Sequence, residues 1–410
     1  MPTISGVSHQ GVRAELRRSY EQQLLAALRA SGPLSRADLA ARLGVSRNTL
    51  GDIVTDLLER AVIVRAPGRS EPARGRPAAR LALNPQAGQF LGVDFGHHRV
   101  HLAVIDASHA ITADGAHPYD PDSPWPARVT AAFDLLDRLA GDRGVDLDAI
   151  VGIGIGLPGP FSPRTPPGPL PTTTSVSDYV ADAFRGRFAE TRLVLDNNTR
   201  FAALAEAIRI DVAATRSLVY VRLSDGVGGG LVIDGRLVLG ANGYAGELGH
   251  VSVRADGRVC RCGKRGCLET VASVPAILER CGELGAPLGS LADLDQAVRR
   301  ADPIVDRVLR DAGEAVGYVL GTLAVALNPD ELVIGGPLVH VAAPLLDQAR
   351  RAIDWELLPV GDVVPVLRRA ELGDEDGAVG AVAALLHSSP LLANYPADAR
   401  LSTLGEVSTA

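Results

Sequence analysis

The sequence predicts an α/β protein in which a small, mostly helical head precedes a larger two-lobed α/β body. Three patterns predict it. Helical spacing of apolar residues recurs three times in the first 60 residues, with a glycine turn between the second and third runs. From Phe90 onward the chain changes to apolar strands and glycine turns, and the order strand, hairpin, helix occurs twice. Three of the four cysteines fall within eight residues.

At 410 residues the chain exceeds one ordinary domain. Its 46 % hydrophobic and 22 % charged residues describe a globular protein. No apolar run reaches the roughly 18 residues of a membrane helix, and the start MPTISGVSHQGVRAELRRSY has no apolar signal core. The expectation is a cytoplasmic protein without a membrane partner. Clustered cysteines then read as metal ligands before disulfides. The net charge of −7 is unevenly spread. Residues 1–85 carry 13 Arg, no Lys and 7 acidic residues, whereas the remainder carries 28 basic and 41 acidic ones. A basic head on an acidic body suggests that the head alone touches nucleic acid, although charge by itself fits a solvated face as well.

In the head, Tyr20, Leu24, Leu25 and Leu28 mark a first helix stopped by Ser31-Gly32-Pro33. Ser35 caps a second, with Leu39, Ala40 and Leu43 inward. Gly44-Val45 turns the chain, and Ser46 caps a third with Leu50, Ile53, Leu57 and Leu58 inward. This is helix-turn-helix spacing. The third helix would be the recognition helix, exposing Arg47, Asn48 and Thr49 in its first turn. Arg suits guanine and Asn suits adenine, while Arg36 and Ser46 are placed for phosphates. An ordinary three-helix bundle is the alternative. Ala61–Val64 and Leu81–Leu83 then read as the two strands of a wing, with Arg74 and Arg76 in RGRP available to a minor groove; a plain linker fits this stretch too.

In the body, FLGVDFGHHRVHLAVID reads as a hairpin, 127–140 as a helix, and AIVGIGIGLPGP as a buried strand. TRLVLDNN is a strand and TRFAALAEAI a helix. SLVYVRLSDGVGGGLVIDGRLVLG is a second glycine-turned hairpin. Helical patterns dominate 271–327, and NPDELVIGGPL is a strand. A glycine-turned hairpin heading each lobe is an arrangement that can cradle phosphate. Cys260, Cys262 and Cys267 give C-x-C-x4-C, with His250 ten residues upstream. Three thiolates and one imidazole complete a tetrahedral zinc site with no open position, which implies one structural zinc per chain. Cys281 stands apart in a helical stretch as a core residue.

These residues resemble the ROK family, whose members include repressors and sugar kinases. The resemblance covers about 86–388 and rests on Glu247-Leu248-Gly249-His250, Cys260-Arg261-Cys262-Gly263 and Gly266-Cys267-Leu268-Glu269. The upstream winged helix-turn-helix matches the family's repressor branch. The resemblance implies an actin-like, sugar-kinase-like α/β body with a zinc-stapled loop. It implies that Glu247, His250 and Glu269 line a sugar site, that Asn197 holds a sugar hydroxyl, and that His250 serves zinc and sugar with its two ring nitrogens.

Three departures fall on the phosphate-transfer side. The family's kinases carry a catalytic Asp after the asparagine, where this chain has Asn198, an amide that cannot act as a base. Asp196 lies two residues too early. The first phosphate turn reads Asp94-Phe95-Gly96-His97-His98 without the family's threonine, and the second reads Ser224-Asp225-Gly226 in place of Gly-Thr-Gly. A carboxylate there is expected to repel ATP. The expected organisation is a winged helix-turn-helix and linker over 1–85, a ligand-sensing body over 86–388 with Asn197, Asn198, Glu247, His250 and Glu269 at the ligand, and a disordered tail over 389–410. The Pro/Thr-rich segment Pro160–Asp178 does not follow the family pattern and leaves the ligand's identity open. The resulting expectation is a homodimeric or homotetrameric repressor that binds a double-stranded operator, senses a sugar or sugar-like effector, and phosphorylates nothing. An active sugar kinase and a DNA-binding protein with a purely scaffolding body are the alternatives.

Overall fold

The computed structural model describes residues 20–21, 23–25, 27–28, 31–66, 80–108, 110–159, 174–189, 191–208, 217–357, 364–373 and 376–387. Arg74, Arg76, the Pro/Thr-rich segment up to 173 and the tail over 389–410 lie outside the described residues.

In the head, helical residues between 20 and 31 bury Leu24, Leu25 and Leu28. A two-residue strand, β1 (Leu34–Ser35), leads into helix α1 (Arg36–Leu43). Ser35 Oγ accepts from the Asp38 amide at 3.2 Å, and the Asp38 carboxylate accepts from the Ser35 amide at 3.2 Å. This reciprocal pair satisfies two donors that a helix start leaves orphaned. Gly44, at φ 63°, adopts the left-handed conformation that ends α1. Helix α2 (Arg47–Glu59) follows at once, capped by Ser46 Oγ accepting from the Thr49 amide at 3.2 Å. It buries Leu50, Ile53, Val54 and Leu57. Leu58, expected inward, is only partly buried, because the stripe through 50, 53 and 57 continues to 54 on its other flank.

Strands β2 (Ile63–Ala66) and β3 (Arg80–Leu83) pair antiparallel, with Ile63 opposite Leu83. The first begins two residues later than expected, since Ala61 turns through φ 54° coming off α2. β1 joins the other side of β3, with Leu34 opposite Leu81.

The body contains two five-stranded sheets of one plan. The first holds β4 (Gln89–Phe95), β5 (Arg99–Asp106), β6 (Ile111–Pro118), β7 (Ile150–Leu157) and β8 (Arg192–Asn197), in the order β6-β5-β4-β7-β8. The second holds β9 (Leu218–Leu223), β10 (Val227–Ile233), β11 (Arg236–Leu237), β12 (Glu331–Gly335) and β13 (Val366–Arg369), in the order β11-β10-β9-β12-β13. In each, the leading strand pairs antiparallel with its hairpin partner and parallel with the strand on its other side. β6, β11 and β13 were not expected. All three are edge strands, half solvated and without an apolar run, so periodicity does not mark them.

Helices α3 (Trp125–Arg143) and α4 (Thr174–Arg187) pack on the first sheet. Helix α5 (Asn198–Ile208) follows β8. The stretch over 271–327 resolves into α6 (Val274–Glu283), α7 (Leu291–Arg299) and α8 (Pro303–Leu327), which with α9 (Ala343–Glu356) cover the second sheet. Cys281 is fully buried in that core, as expected. The last described helix, α10 (Asp376–His387), returns to the first sheet and lies against the glycines of β4 and β7. A Cβ on Gly92 would stand 2.0 Å from the Ala378 carbonyl oxygen, and one on Gly154 2.3 Å from that of Ala381. Only glycine permits so close an approach of helix and sheet. Among the described residues, no helix is long and apolar enough to cross a membrane.

Candidate functional site

The two sheets present their hairpin turns toward one another across a cleft. Asn197, Asn198, Glu247, His250 and Glu269, which are dispersed over 73 positions of sequence, all line it. β8 ends at Asn197, whose side chain is largely committed: Oδ1 caps α5 by accepting from the amides of Thr199 (2.8 Å) and Arg200 (3.2 Å), and Nδ2 donates to the Gly159 carbonyl (2.6 Å). One amide hydrogen remains for a ligand. Asn198 Nδ2 donates to Asp94 Oδ1 (3.0 Å) and to the Phe95 carbonyl (3.2 Å), tying α5 to the first hairpin. Asp196 is not among the residues lining the cleft and forms a fully buried pair with Arg200 at 2.6 Å.

Behind the second hairpin, Asp376 at the start of α10 accepts from Tyr220 Oη (2.8 Å) and from Arg222 Nη1 (3.1 Å), while Asp94 lies 3.8 Å from the same Nη1. Burial pushes both carboxyls up, Asp376 to about 6, against the pull of Arg222. One largely buried guanidinium from the second sheet thus serves two carboxyls of the first lobe.

Glu247 precedes the helical turn Leu248–His250. The turn packs against β10 so closely that a Cβ on Gly249 would meet the Val227 carbonyl oxygen at 1.9 Å. Burial raises the Glu247 carboxyl above its ordinary value. Glu269 opens the helical turn Glu269–Ala272 directly after the cysteine loop. Its carboxylate accepts from the Val227 amide (3.1 Å) and from Arg261 Nε (3.0 Å) and Nη2 (3.1 Å).

His250, Cys260, Cys262 and Cys267 place their ligand atoms within 4.8 Å of one another. His250 Nδ1 lies 3.6 Å from Cys260 Sγ, and Cys262 Sγ lies 3.6 Å from Cys267 Sγ. A tetrahedral zinc with bonds of about 2.3 Å to sulfur and 2.0 Å to nitrogen sets such spacings. The donor set and its geometry fit one structural zinc ion per chain. The ion would fix the loop and the His250 ring, leaving Nε2 toward the cleft that His250 lines. Burial pushes the His250 imidazole down, toward the neutral form that binds metal.

Two features were not legible in the sequence. Asp225, expected to put a carboxylate into the phosphate cradle, instead meets His98 Nε2 at 3.2 Å. The cleft lining also includes His97, Arg222, Ser224, Gly226 and Arg261. Arg261 and Arg222 are site residues that motif reading passed over. The signal for Arg222 was a lone cation in the apolar strand LVYVRL, and for Arg261 its position between two thiolate ligands. In the head, Arg36, Ser46, Arg47, Asn48 and Thr49 are all exposed at the starts of α1 and α2, with Ser46 Oγ engaged by Thr49.

Two mixed sheets, a cleft between their hairpins and a Cys3His cluster in its wall define the class. The chain belongs to the ROK family, whose model matches residues 90–388. It is 26 % identical over 362 residues to the DNA-binding transcriptional dual regulator NagC of Escherichia coli, covering 86 % of this chain and 88 % of that one. It is 28 % identical over 314 residues to a glucokinase of Halalkalibacterium halodurans, covering 71 % and 93 %. A solved ROK family transcriptional regulator described as a homolog of the E. coli Mlc protein matches its fold with a TM-score of 0.69 at 24 % identity, over 94 % of this chain and 97 % of that one. The regulators therefore match more of this chain than the kinase does.

Proposed function

We propose that the chain is a ligand-responsive, DNA-binding transcriptional repressor acting in the cytoplasm. Residues 1–85 form a winged helix-turn-helix that reads a two-fold operator as a homodimer or homotetramer, with Arg47, Asn48 and Thr49 at base edges and Arg36, Ser46, Arg74 and Arg76 at the backbone and minor groove. Residues 86–388 form a two-lobed sensor, and 389–410 a tail. A sugar or sugar derivative binds against Asn197, Asn198, Glu247, His250 and Glu269, and the zinc-held wall keeps His250 oriented for it.

The observation that carries this reading is the state of the cleft. Its ligand side is assembled, while its phosphate side is tied off: Asn198 holds Asp94 at 3.0 Å where a base would be needed, and His98 holds Asp225 at 3.2 Å. The likeness to a glucokinase favours the second reading, an active kinase. The full chain and a chain lacking residues 1–85 would be tested for retention on operator DNA selected from a random pool, and for ATP turnover with hexoses. Specific DNA binding lost with the head, and no turnover, support the repressor. Turnover by the full chain supports the kinase.

A further inference from the structure

We propose that Arg261 makes the cleft a receptor for an anionic effector, a polyhydroxy compound bearing a carboxylate or phosphate group. This rests on the reading of the cleft as an effector site and narrows the ligand class.

Arg261 lies between two metal-ligating cysteines, so the loop that carries it is pinned. Its side-on edge, Nε and Nη2, is locked onto Glu269 at 3.0 and 3.1 Å. Glu269 is anchored in turn by the Val227 amide at 3.1 Å. The end-on edge, Nη1 with the second hydrogen of Nη2, is open: among the described residues Nη1 has no partner, and the side chain is 60 % exposed. A Cβ on Gly226 would lie 3.2 Å from Nη2, so the guanidinium sits over the second glycine turn, in the cleft that Glu247 and His250 also line. A planar fork with one edge fixed and the other free is set for bidentate capture of a carboxylate or phosphate, and its rotamer is already held.

The surroundings agree. Asp225, the carboxylate nearest this turn in sequence, is drawn off onto His98 at 3.2 Å, so the turn offers Ser224 and Arg261 to the cleft. Glu269 has three of its about four acceptor positions filled, and is a poor acceptor for additional sugar hydroxyls unless Arg261 leaves. A neutral sugar would have to displace that arginine. An anionic one can bind to it in place, with its hydroxyls on Glu247, His250 and Asn197.

The test is calorimetric titration of the zinc-loaded full chain with three matched series: D-glucose, D-mannose and D-galactose, their uronates, and their 6-phosphates. In at least one series the uronate or the 6-phosphate binds tenfold or more tightly than the parent hexose, and which of the two does so identifies the anion. Arg261→Gln removes that preference while zinc content stays at the wild-type value, and Arg261→Lys keeps part of it. A hexose that binds as tightly as its charged partners, or a preference that survives Arg261→Gln, overturns the proposal. If such a neutral hexose also shifts DNA affinity, the effector-site reading stands without it. If no member of any series binds, both fall.

Discussion

The imidazole of His98 and the carboxylate of Asp225 meet at 3.2 Å and join the turns of the two glycine hairpins. By the family resemblance, each residue stands where the kinases' phosphate turns carry a threonine. The pair is partly exposed, so its contribution to stability is small, about 1 kcal/mol or less. Replacing both by threonine is expected to leave the melting temperature nearly unchanged and to yield no ATP turnover, because Asn198 is untouched. Coupled-enzyme detection of ADP with a hexose panel checks this; turnover by wild type or by the double variant contradicts it.

Asn198→Asp is expected to fail as a restoration of kinase activity for a structural reason. It replaces the 3.0 Å hydrogen bond to Asp94 with two facing carboxylates, in a site whose burial already raises Asp94. The expected cost is about 2–3 kcal/mol at neutral pH, shrinking as acid protonates one of the two. Urea unfolding at pH 5 and pH 7.5 measures it. Equal destabilisation at both values would remove the electrostatic account.

Burial pushes Asp376 up to about 6, with Arg222 pulling the other way. The folded chain therefore keeps a proton on this group over a range in which the unfolded chain, with an ordinary value of 3.8, has released it. Stability from this group is fully present below pH about 4 and is lost as pH rises to about 6, a swing of about 3 kcal/mol. The difference in unfolding free energy between wild type and Asp376→Asn should change across that window and flatten above it. Parallel curves would show that Asp376 titrates normally.

One zinc per chain is expected from elemental analysis, and chelation should lower the melting temperature. For a domain of this size each kcal/mol is worth about 2–4 °C, so removing a staple of several kcal/mol lowers it by about 10 °C. Cys262→Ser should lose metal and reproduce the chelated state. Wild-type protein free of zinc, with an unchanged melting temperature in chelator, contradicts the assignment.

Arg47→Ala should weaken operator binding by about 1–3 kcal/mol and relax preference at one base position. Ser46→Ala acts differently, since Ser46 Oγ caps α2 through the Thr49 amide at 3.2 Å, and its loss costs the head about 1 kcal/mol of stability. Binding and melting measured on both variants separate the roles. An Arg47→Ala chain with unchanged affinity removes that residue from the interface.

The legible parts of this molecule were those with local signatures. Ser35 and Ser46 announce helix starts, Gly44 a stop, and alternating or continuous apolar runs the inner strands β4, β5, β7 and β9. The Cys3His cluster follows from spacing alone, because metal geometry demands few and particular ligands. Edge strands such as Ile111–Pro118 were silent, since half-solvated strands need no apolar pattern. The pairing of Asp225 with His98, and of Asn198 with Asp94, joins residues more than a hundred positions apart. Single-residue substitutions show what chemistry is lost, but only the folded chain shows what the replacements hold.

The most direct test of the account is the affinity of the full chain for its selected operator, with and without effector, for wild type and for Glu247→Ala. Closure of the cleft can alter DNA binding only if ligand and DNA favour different arrangements of the two-fold assembly. The account predicts an effector-dependent change of tenfold or more in wild type. Glu247→Ala should retain zinc and ligand-free DNA affinity and show no such change. A Glu247→Ala chain that responds like wild type, or a wild-type chain that binds effector with no change in DNA affinity, would contradict it.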